Sequence, residues 1–337
     1  PNLEKTGGVL LQAEDELAAV NMITGASFGG VPALTATSGP GLSLMMEGLG
    51  LAVASETPVV VINVMRGGPS TGIPTKSEQS DLNLALYGMH GDAPHLVTAA
   101  LTVADCVLTA QWSVALAEHL QTVCIMLTDQ SLGQSRVIID APAASTISAQ
   151  RKTAERIEQD YLRYQLSADG ISPMSIPGTP GGMYTADGLE HTERGTPSSM
   201  ATDHRAQLDK RLDKLQQYDF GEDWAHIEEQ GDVLLLTWGS SMGVCQLAAE
   251  RLRNQGTSTA VLALRLLMPL NHQGITEVLQ GRKRVVVVEQ NQGAQFFHYL
   301  HSQQVLPGQA VSYARPGPLP LRAGNIVQFV RQQFSHE

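Results

Sequence analysis

Residues 58–75 read PVVVINVMRGGPSTGIPT, and this stretch decides the fold class of the 337-residue chain. Its first part, Val59–Val64, is a continuous β-branched run, which is typical of a strand covered on both faces. Its second part, Arg66–Thr75, is a loop rich in glycine and proline. Buried strands of this kind belong to parallel α/β sheets, in which ligands bind beyond the carboxyl ends of the strands. We therefore expect Arg66–Thr75 to border a binding site.

Strand-like and helix-like segments alternate on both sides of this stretch. The other predicted strands are Val9–Gln12, Val31–Ala36 and Val123–Leu127, and the predicted helices are a segment that starts at Glu14–Glu16, Leu42–Ala54, Lys76–Leu86 and Val103–Leu120. Such alternation predicts an α/β domain with a doubly wound parallel sheet. We assign this domain to residues 1–145. Because the chain lacks an initiator Met and enters a strand-like run at once, we expect the domain to be incomplete at its N-terminus.

A second, smaller α/β domain follows a connector, which we assign to residues 146–227. Within the connector, residues 172–199 are crowded with Gly, Pro, Ser and Thr, which is typical of a long ordered loop. Asp203–Gln217 is predicted to be a charged surface helix. Alternation resumes at Gly231, so residues 228–337 form the second domain. Its predicted strands are Val233–Thr237, Thr259–Leu264 and Arg284–Val288, and its predicted helices are Met242–Asn254 and Ala323–Phe334.

The composition limits the classes of partner. The net charge of -11 argues against a nucleic-acid partner. No apolar run reaches about 18 residues, so no membrane span is predicted. The first residues, Pro1–Lys5, lack the basic head and apolar core of a secretory signal. We expect a cytoplasmic protein.

The three cysteines are far apart in the sequence. Cys106, Cys124 and Cys245 include no pair with CxxC spacing, which disfavours an iron–sulfur cluster or a zinc site within this chain. Their neighbours are apolar, so buried and unreactive thiols in a reducing compartment are predicted. No metal site is predicted in the chain.

Two motifs precede the central stretch. Glu14 follows the predicted strand Val9–Gln12, and a carboxylate at the carboxyl end of a buried strand is desolvated. Desolvation raises its pKa and suits it to donate a proton to a ring nitrogen. The second motif, Thr37–Gly41, reads TSGPG, and its two glycines let the backbone approach a flat ligand closely. An acidic first helical turn and an ordinary turn are the alternative interpretations.

The loop Arg66–Thr75 lacks the lysine that a phosphate-binding P-loop requires. Its cation, hydroxyls and backbone amides suit a small carboxylate instead. A structural crossover is the alternative. A later loop, His90–Asp92, is either a helix-ending turn or part of the site.

Residues 9–94 resemble the α chain of 2-oxoacid:ferredoxin oxidoreductases, a family of thiamine-diphosphate enzymes. The elements QAEDE, ATSGPG, RGGPSTGIPT and HGDAP occur here in that family's order. In the second domain, LLLTWGS at 234–240 and VVVVEQN at 285–291 resemble its transketolase-like C-terminal domain. The resemblance implies a thiamine-diphosphate pyrimidine-binding domain followed by a transketolase C-terminal-like α/β domain.

The resemblance also implies roles for individual residues. Glu14 would contact the N1′ atom of the cofactor's aminopyrimidine and so act as the catalytic acid, with Asp15 and Glu16 as rivals for this role. The other cofactor-binding residues would be Ser38, Pro40 and Gly41. The residues implied to bind the substrate's carboxylate and oxo group are Arg66, Ser70 and Thr71. A second cation, for a distal carboxylate of the substrate, could be Lys76, His90 or a residue of a partner β subunit, and the sequence leaves these alternatives open.

The family's diphosphate-binding signature, Gly-Asp-Gly followed by Asn, is not matched. Gly91-Asp92-Ala93 and Gly231-Asp232-Val233 both differ at its third position. The resemblance therefore implies a β subunit that shares the thiamine diphosphate and supplies Mg²⁺ and a [4Fe–4S] cluster. It further implies ferredoxin as electron acceptor, coenzyme A as cosubstrate and an α2β2 complex.

The expected reaction is the conversion of 2-oxoglutarate to succinyl-CoA, with pyruvate and branched-chain 2-oxoacids left open as substrates. The family usually has a Tyr-Pro-Ile-Thr-Pro loop before the glutamate in the sequence, and this loop does not occur among the 337 residues. Two alternatives stay open: a non-oxidative thiamine-diphosphate decarboxylase or carboligase, and a non-catalytic partner subunit.

Overall fold

Two five-stranded sheets organise the chain. The computed structural model describes residues 3–140, 147–157, 160–228 and 231–334. The strands are β1 (Leu34–Ser38), β2 (Val59–Met65), β3 (Leu96–Ala99), β4 (Val123–Asp129), β5 (Ala225–Glu228), β6 (Val233–Trp238), β7 (Thr259–Leu264), β8 (Leu266–Met268), β9 (Arg284–Glu289) and β10 (Val311–Ala314). The α-helices are α1 (Glu16–Phe28), α2 (Gly41–Ala54), α3 (Leu82–Tyr87), α4 (Asp105–Leu120), α5 (Gln130–Gln134), α6 (Ala201–Gln216), α7 (Ser241–Asn254), α8 (His272–Leu279), α9 (Gln295–Ser302) and α10 (Ala323–Phe334).

The strand orders are β1-β2-β4-β3-β8 and β10-β9-β6-β7-β5. Pairing is parallel except at one edge of each sheet, where β8 joins β3 and β5 joins β7 antiparallel. β4 is buried along all seven residues and β6 along all six, so both faces of each sheet are covered. The predicted α/β class with parallel sheets is confirmed. The two sheets interlock, because β8 follows β7 in the chain yet belongs to the other sheet.

Of the two predicted domain boundaries, only one lies within the described residues. The boundary at residues 145–146 lies outside the described residues. The boundary at residue 228 coincides with the end of β5, which is a strand of the second sheet. Most of β5 therefore falls in the segment that the sequence assigned to the connector.

The strand predicted at Val9–Gln12 is wrong. Residues 8–13 have no regular structure, and the side chains of Val9, Leu10 and Leu11 are 74%, 72% and 66% exposed. An apolar run forms a strand only where its backbone groups find a neighbouring strand, and this segment has none within the described residues.

The helix predicted at Lys76–Leu86 is also largely wrong, because α3 spans only Leu82–Tyr87. The preceding main chain is held against the second sheet instead. Gln79, for example, donates its backbone N–H to the carbonyl of Gln290 at 2.7 Å. A tertiary hydrogen bond thus overrides the local helical preference of this segment.

Helix α6 was predicted to lie on the surface, but one of its faces is buried. The buried side chains are Gln207, Lys210, Arg211, Lys214 and Leu215. Their spacing is that of one helical face, with cations where apolar residues normally lie. The prediction failed because these charges have partners that are distant in the sequence.

Glu56 is the buried partner of two of these cations. Its carboxylate pairs with Lys210 Nζ at 2.5 Å and with Lys214 Nζ at 2.9 Å. Arg163 donates to the backbone carbonyl of Glu56 at 2.8 Å. Burial would raise the pKa of the Glu56 carboxyl, but Lys214, Lys210 and Arg163 hold it well below its ordinary value. The cluster ties α6 to the chain segment that follows α2.

Two cysteines match their prediction and one departs from it. Burial raises the pKa of Cys124 to about 11 and that of Cys245 to about 12, as expected of unreactive thiols. Cys106 is only half-buried, because it lies in the first turn of α4. Burial nevertheless raises the pKa of its thiol too.

Replacing Glu56 with glutamine is expected to lower the free energy of unfolding by about 3–5 kcal/mol, because three buried cations lose their counter-charge. The carboxyl has a lower pKa when folded than when unfolded, so its stabilising contribution is present above the ordinary value of 4.5 and is lost as the pH falls below it. Urea unfolding at about pH 7 and about pH 4 should therefore show a larger difference from wild type at the higher pH.

The matched control for this substitution is Glu47→Gln, on the exposed face of α2. It should change the free energy of unfolding by less than about 0.5 kcal/mol. Equal unfolding midpoints for the two variants would contradict the role assigned to the Glu56 cluster.

Candidate active site

The candidate site lies where β1 and β2 end. The two strands pair in parallel, with Ser38 opposite Val64, so the segments that follow them emerge side by side. Ser38 Oγ donates a hydrogen bond to the carbonyl of Val64 at 2.8 Å and fastens the two ends together. The turn Thr37–Gly41 and the loop that starts at Arg66 therefore share one edge of the sheet.

Helix α1 brings an acidic side chain to this edge, and that side chain is Glu16. Asp15 caps the helix, because its Oδ1 accepts a hydrogen bond from the backbone N–H of Ala18 at 2.7 Å. Glu16 is half-buried, and its Oε1 accepts a hydrogen bond from Thr37 Oγ1 at 3.3 Å. Glu14 lies in the exposed bend before the helix, not at the end of a buried strand as expected.

The glycines of the turn make room for charged side chains. A Cβ atom at Gly41 would overlap Thr37 Oγ1 and lie 2.6 Å from Glu16 Oε1. At Gly39 the backbone is left-handed, with φ 67°, and a Cβ atom would lie 2.6 Å from Arg66 Cζ. The side chains of Glu16 and Arg66 thus contact the same turn, in the space that a side chain at position 41 or position 39 would occupy.

Arg66 lies beside a second carboxylate, that of Asp81. Burial raises the pKa of Asp81, while a hydrogen bond from Asn63 and the charge of Arg66 act in the opposite direction. Asn63 Nδ2 donates to Asp81 Oδ2 at 3.0 Å. Two buried atoms here, Arg66 Nε and Asn63 Oδ1, have no hydrogen-bond partner among the described residues. The site therefore offers one unpaired donor and one unpaired acceptor to a ligand or to water.

The loop that follows Arg66 is closed upon itself. Gly67 N donates to Lys76 O at 3.0 Å, and Ile73 N donates to Gly67 O at 2.7 Å. Gly72 has φ 54°, and a Cβ atom there would overlap Gly67 O. Ser70 and Thr71 form the exposed tip of this loop, while Arg66 lies at its base.

The structure thus brings only some of the predicted site residues together. Arg66 and the turn with Ser38, Pro40 and Gly41 meet, and Pro40 is the residue immediately before α2. Ser70, Thr71, Lys76, His90 and Asp92 are exposed, and Glu14 is exposed as well.

Sequence reasoning missed Asn63 and Asp81. Asn63 interrupts the apolar run of β2, and a polar residue within a buried strand was a signal that could have been used.

The described ranges contain no group of three or more His, Cys, Asp or Glu side chains that could hold a metal ion. Within the same ranges, no helix is both long enough and apolar enough to cross a membrane.

Comparisons with known proteins match both halves of the chain. The family described as "Pyruvate flavodoxin/ferredoxin oxidoreductase, thiamine diP-bdg" matches residues 1–210, and the family "Transketolase, C-terminal domain" matches residues 222–301.

Two curated relatives and one solved structure are similar over most of this chain. The 2-oxoacid:ferredoxin oxidoreductase 1, subunit alpha, of Sulfurisphaera tokodaii is 38% identical over 85% of this chain and 46% of its own length. The 2-oxoglutarate synthase subunit KorA of Archaeoglobus fulgidus is 34% identical over 86% of this chain and 77% of its own length. The 2-oxoglutarate:ferredoxin oxidoreductase from Magnetococcus marinus, solved with 2-oxoglutarate, coenzyme A and succinyl-CoA bound, superposes with a TM-score of 0.87 at 37% identity, over 98% of this chain and 58% of its own. Several of the curated relatives are about twice as long as the part that this chain spans.

Replacing Gly41 with alanine should force Glu16 and Thr37 apart and lower the free energy of unfolding by about 1–3 kcal/mol. Gly50→Ala is a matched control in the same helix, because no atom lies within 4 Å of its added Cβ. That control should raise the free energy of unfolding by roughly 0.5–1 kcal/mol through helix propensity. Chemical denaturation of both variants measures the contrast, and a Gly41→Ala chain as stable as wild type would show that the turn is not closely packed.

Proposed function

We propose a function for this chain from one premise: it belongs to the pyruvate flavodoxin/ferredoxin oxidoreductase family. On that premise it is the α subunit of a 2-oxoacid:ferredoxin oxidoreductase. Its proposed reaction converts 2-oxoglutarate and coenzyme A to succinyl-CoA and CO₂, with the two electrons passing to ferredoxin. The observation that carries the proposal is the meeting of Glu16 and Arg66 at the turn Thr37–Gly41, inside the segment that the family matches.

The turn fits the aminopyrimidine end of thiamine diphosphate. When bound, this cofactor supplies the electron sink that allows a 2-oxoacid to lose CO₂. Glu16 Oε1 receives only a long hydrogen bond from Thr37, at 3.3 Å, among the described residues. Its carboxylate is therefore able to bond a ring nitrogen, and a half-buried position strengthens that bond relative to water. Ser38 acts by fastening the turn to β2.

Glu16, rather than Glu14, is the residue to which we assign the proton. The resemblance favoured Glu14 by its position in the motif, but Glu14 is exposed and no buried strand precedes it among the described residues. Glu16 reaches the turn from the first position of α1, while Asp15 is engaged as the helix cap. In this role Glu16 holds a proton at the N1′ atom and so controls the basicity of the opposite side of the ring.

Arg66 is proposed to bind the C1 carboxylate of the 2-oxoacid. Its guanidinium lies over Gly39, which brings it to the edge of the turn that Glu16 reaches from the other side. Asp81 interacts electrostatically with it, but burial raises the pKa of that carboxyl and so favours its neutral form. A guanidinium pairs with a carboxylate through two parallel hydrogen bonds, which fixes the substrate's direction.

The rest of the site is proposed to come from a β subunit. The word "alpha" in the names of several relatives supports a partner subunit. This chain lacks the Gly-Asp-Gly signature, so we assign the diphosphate site, Mg²⁺ and a [4Fe–4S] cluster to the β subunit of a cytoplasmic α2β2 complex. 2-Oxoglutarate and coenzyme A are supported as substrates by the names of the Archaeoglobus fulgidus and Magnetococcus marinus relatives.

The test compares Glu16→Gln with Glu14→Gln in the full protein co-expressed with its β subunit. Reduction of a low-potential dye is measured with coenzyme A and, in turn, 2-oxoglutarate, pyruvate and 2-oxoisovalerate. Loss of the proton at N1′ should lower kcat by about 10²–10⁴-fold in Glu16→Gln, whereas Glu14→Gln should stay within about twofold of wild type. The reverse order of the two variants would reassign the acid to Glu14. Release of CO₂ without dye reduction would identify a non-oxidative enzyme.

Replacing Arg66 with methionine keeps the apolar stem and removes the charge. The expected result is a loss of about 10–100-fold in kcat/KM for every 2-oxoacid, because a charge-assisted hydrogen bond contributes about 1.5–3 kcal/mol. Steady-state kinetics with 2-oxoglutarate and pyruvate measure it. A loss confined to 2-oxoglutarate would instead assign Arg66 to the distal carboxylate.

A further inference from the structure

Gln79 is fully buried and uses its polar groups to reach the second sheet. Its side-chain amide donates to one main-chain carbonyl, while its side-chain oxygen accepts two hydrogen bonds. The contacts are Nε2 to Trp238 O at 2.9 Å, Ser241 Oγ to Oε1 at 2.8 Å, Gln290 N to Oε1 at 2.8 Å and Asn291 Nδ2 to Gln79 O at 3.2 Å. A glutamine held by this many buried hydrogen bonds has one orientation.

The main chain around Gln79 is held by amide side chains that follow β9 in the chain. Gln290 Nε2 donates to Ser77 O at 3.2 Å, and Gln295 Nε2 donates to Ser80 O at 2.7 Å. Gln295 Oε1 also accepts from the backbone N–H of Asn83 at 2.9 Å. Residues 77–83 are thus fixed by side chains that follow β9.

This anchored segment adjoins Arg66 on two sides. Its N-terminal neighbour, Lys76, closes the Arg66 loop by accepting from Gly67 N at 3.0 Å. Asp81 lies within the segment, bonds Asn63 at 3.0 Å and interacts electrostatically with Arg66. Displacement of the segment would therefore move both the end of the Arg66 loop and the carboxyl group that interacts with Arg66.

The anchor occupies the carboxyl edge of the second sheet. Trp238 is the last residue of β6, and Gln290 follows the last residue of β9, which is the neighbouring strand. Gly239 has φ 59°, and a Cβ atom there would lie 2.8 Å from Gln79 Nε2. In open parallel sheets this edge is where ligands bind, and here it binds a segment of the same chain.

We propose that Gln79 is a positioning residue through which the second sheet holds Arg66 in place for the substrate's carboxylate. The part of this inference that concerns substrate rests on the proposed function. The anchoring itself is a property of this chain and has its own measurement.

The first measurement is amide hydrogen exchange of the full protein assembled with its β subunit. In Gln79→Ala the backbone N–H groups of Gly67 and Ile73 should exchange at least about tenfold faster, because the loop they close loses its anchor. Gln207→Ala is the matched control, since Gln207 is buried on α6 and donates to Tyr164 O at 3.1 Å, away from the loop. Unchanged exchange in Gln79→Ala would overturn the anchoring.

The second measurement compares the KM for the 2-oxoacid with the affinity for thiamine diphosphate. Gln79→Ala should raise the KM for the 2-oxoacid by about tenfold while the affinity for thiamine diphosphate stays within about twofold, because Arg66 and not Glu16 is displaced. Equal losses in both affinities would indicate a general structural role and overturn the proposal. A wild-type complex that turns over no 2-oxoacid would refute the proposed function, and the exchange measurement would still decide the anchoring.

Gln79→Glu provides a pH-dependent rescue. A protonated carboxyl can donate to Trp238 O and accept from Ser241 Oγ, as the amide does, whereas an ionised carboxylate cannot donate. The ratio of the KM of this variant to that of wild type at the same pH should therefore fall towards one as the pH is lowered. A KM independent of pH and equal to that of wild type would contradict the positioning role.

Discussion

The parallel pairing of β1 with β2 is the constraint on which the candidate site depends. Because Ser38 lies opposite Val64, the turn that follows one strand and the loop that follows the other leave the sheet at the same level. The acidic group comes from α1 and the cationic group from the end of β2, and neither would meet the turn without this register. Glycines complete the arrangement, because a Cβ atom at Gly39 would collide with Arg66 and a Cβ atom at Gly41 would collide with Glu16.

Two buried polar clusters hold the surrounding elements, and they differ in kind. The Glu56 cluster uses full charges, so its stabilisation depends on keeping a carboxylate ionised next to Lys210 and Lys214. The Gln79 cluster uses neutral side chains and main-chain groups, so none of the groups that bond Gln79 directly carries a charge. The charged cluster lies between α6 and the segment after α2, and the neutral one lies beside the site, where a fixed position is needed.

The sequence predicted well what depends on local pattern. β4 and β6 are buried along their whole length and β2 along most of it, as their largely apolar sequences predict. The turn at Thr37–Gly41 and the loop at Arg66 were recognisable because they occur in the family's order, whereas each alone is also explained by an ordinary turn or a structural crossover.

What failed depends on partners far away in the sequence. The place of Asp81 in the site was missed because it depends on Asn63, 18 residues earlier, and on the charge of Arg66. The buried face of α6 can be cationic because Lys210 and Lys214 pair with Glu56, which lies 154 and 158 residues earlier in the sequence. Similarly, residues 77–80 are not helical, and Gln290 and Gln295 hold them through hydrogen bonds to Ser77 O and Ser80 O, which no local propensity encodes.

The position of β8 in the first sheet has a consequence for folding during synthesis of the chain. Leu266–Met268 pairs with β3, so the outer edge of the first sheet is closed by residues synthesised after most of the second sheet. During synthesis from the N-terminus, β3 leaves the ribosome with the backbone groups of one edge unpaired, and they stay unpaired until β8 has been synthesised. Folding of the first half is therefore completed by translation of the second, and a gene divided between the two sheets would yield halves that mature only together.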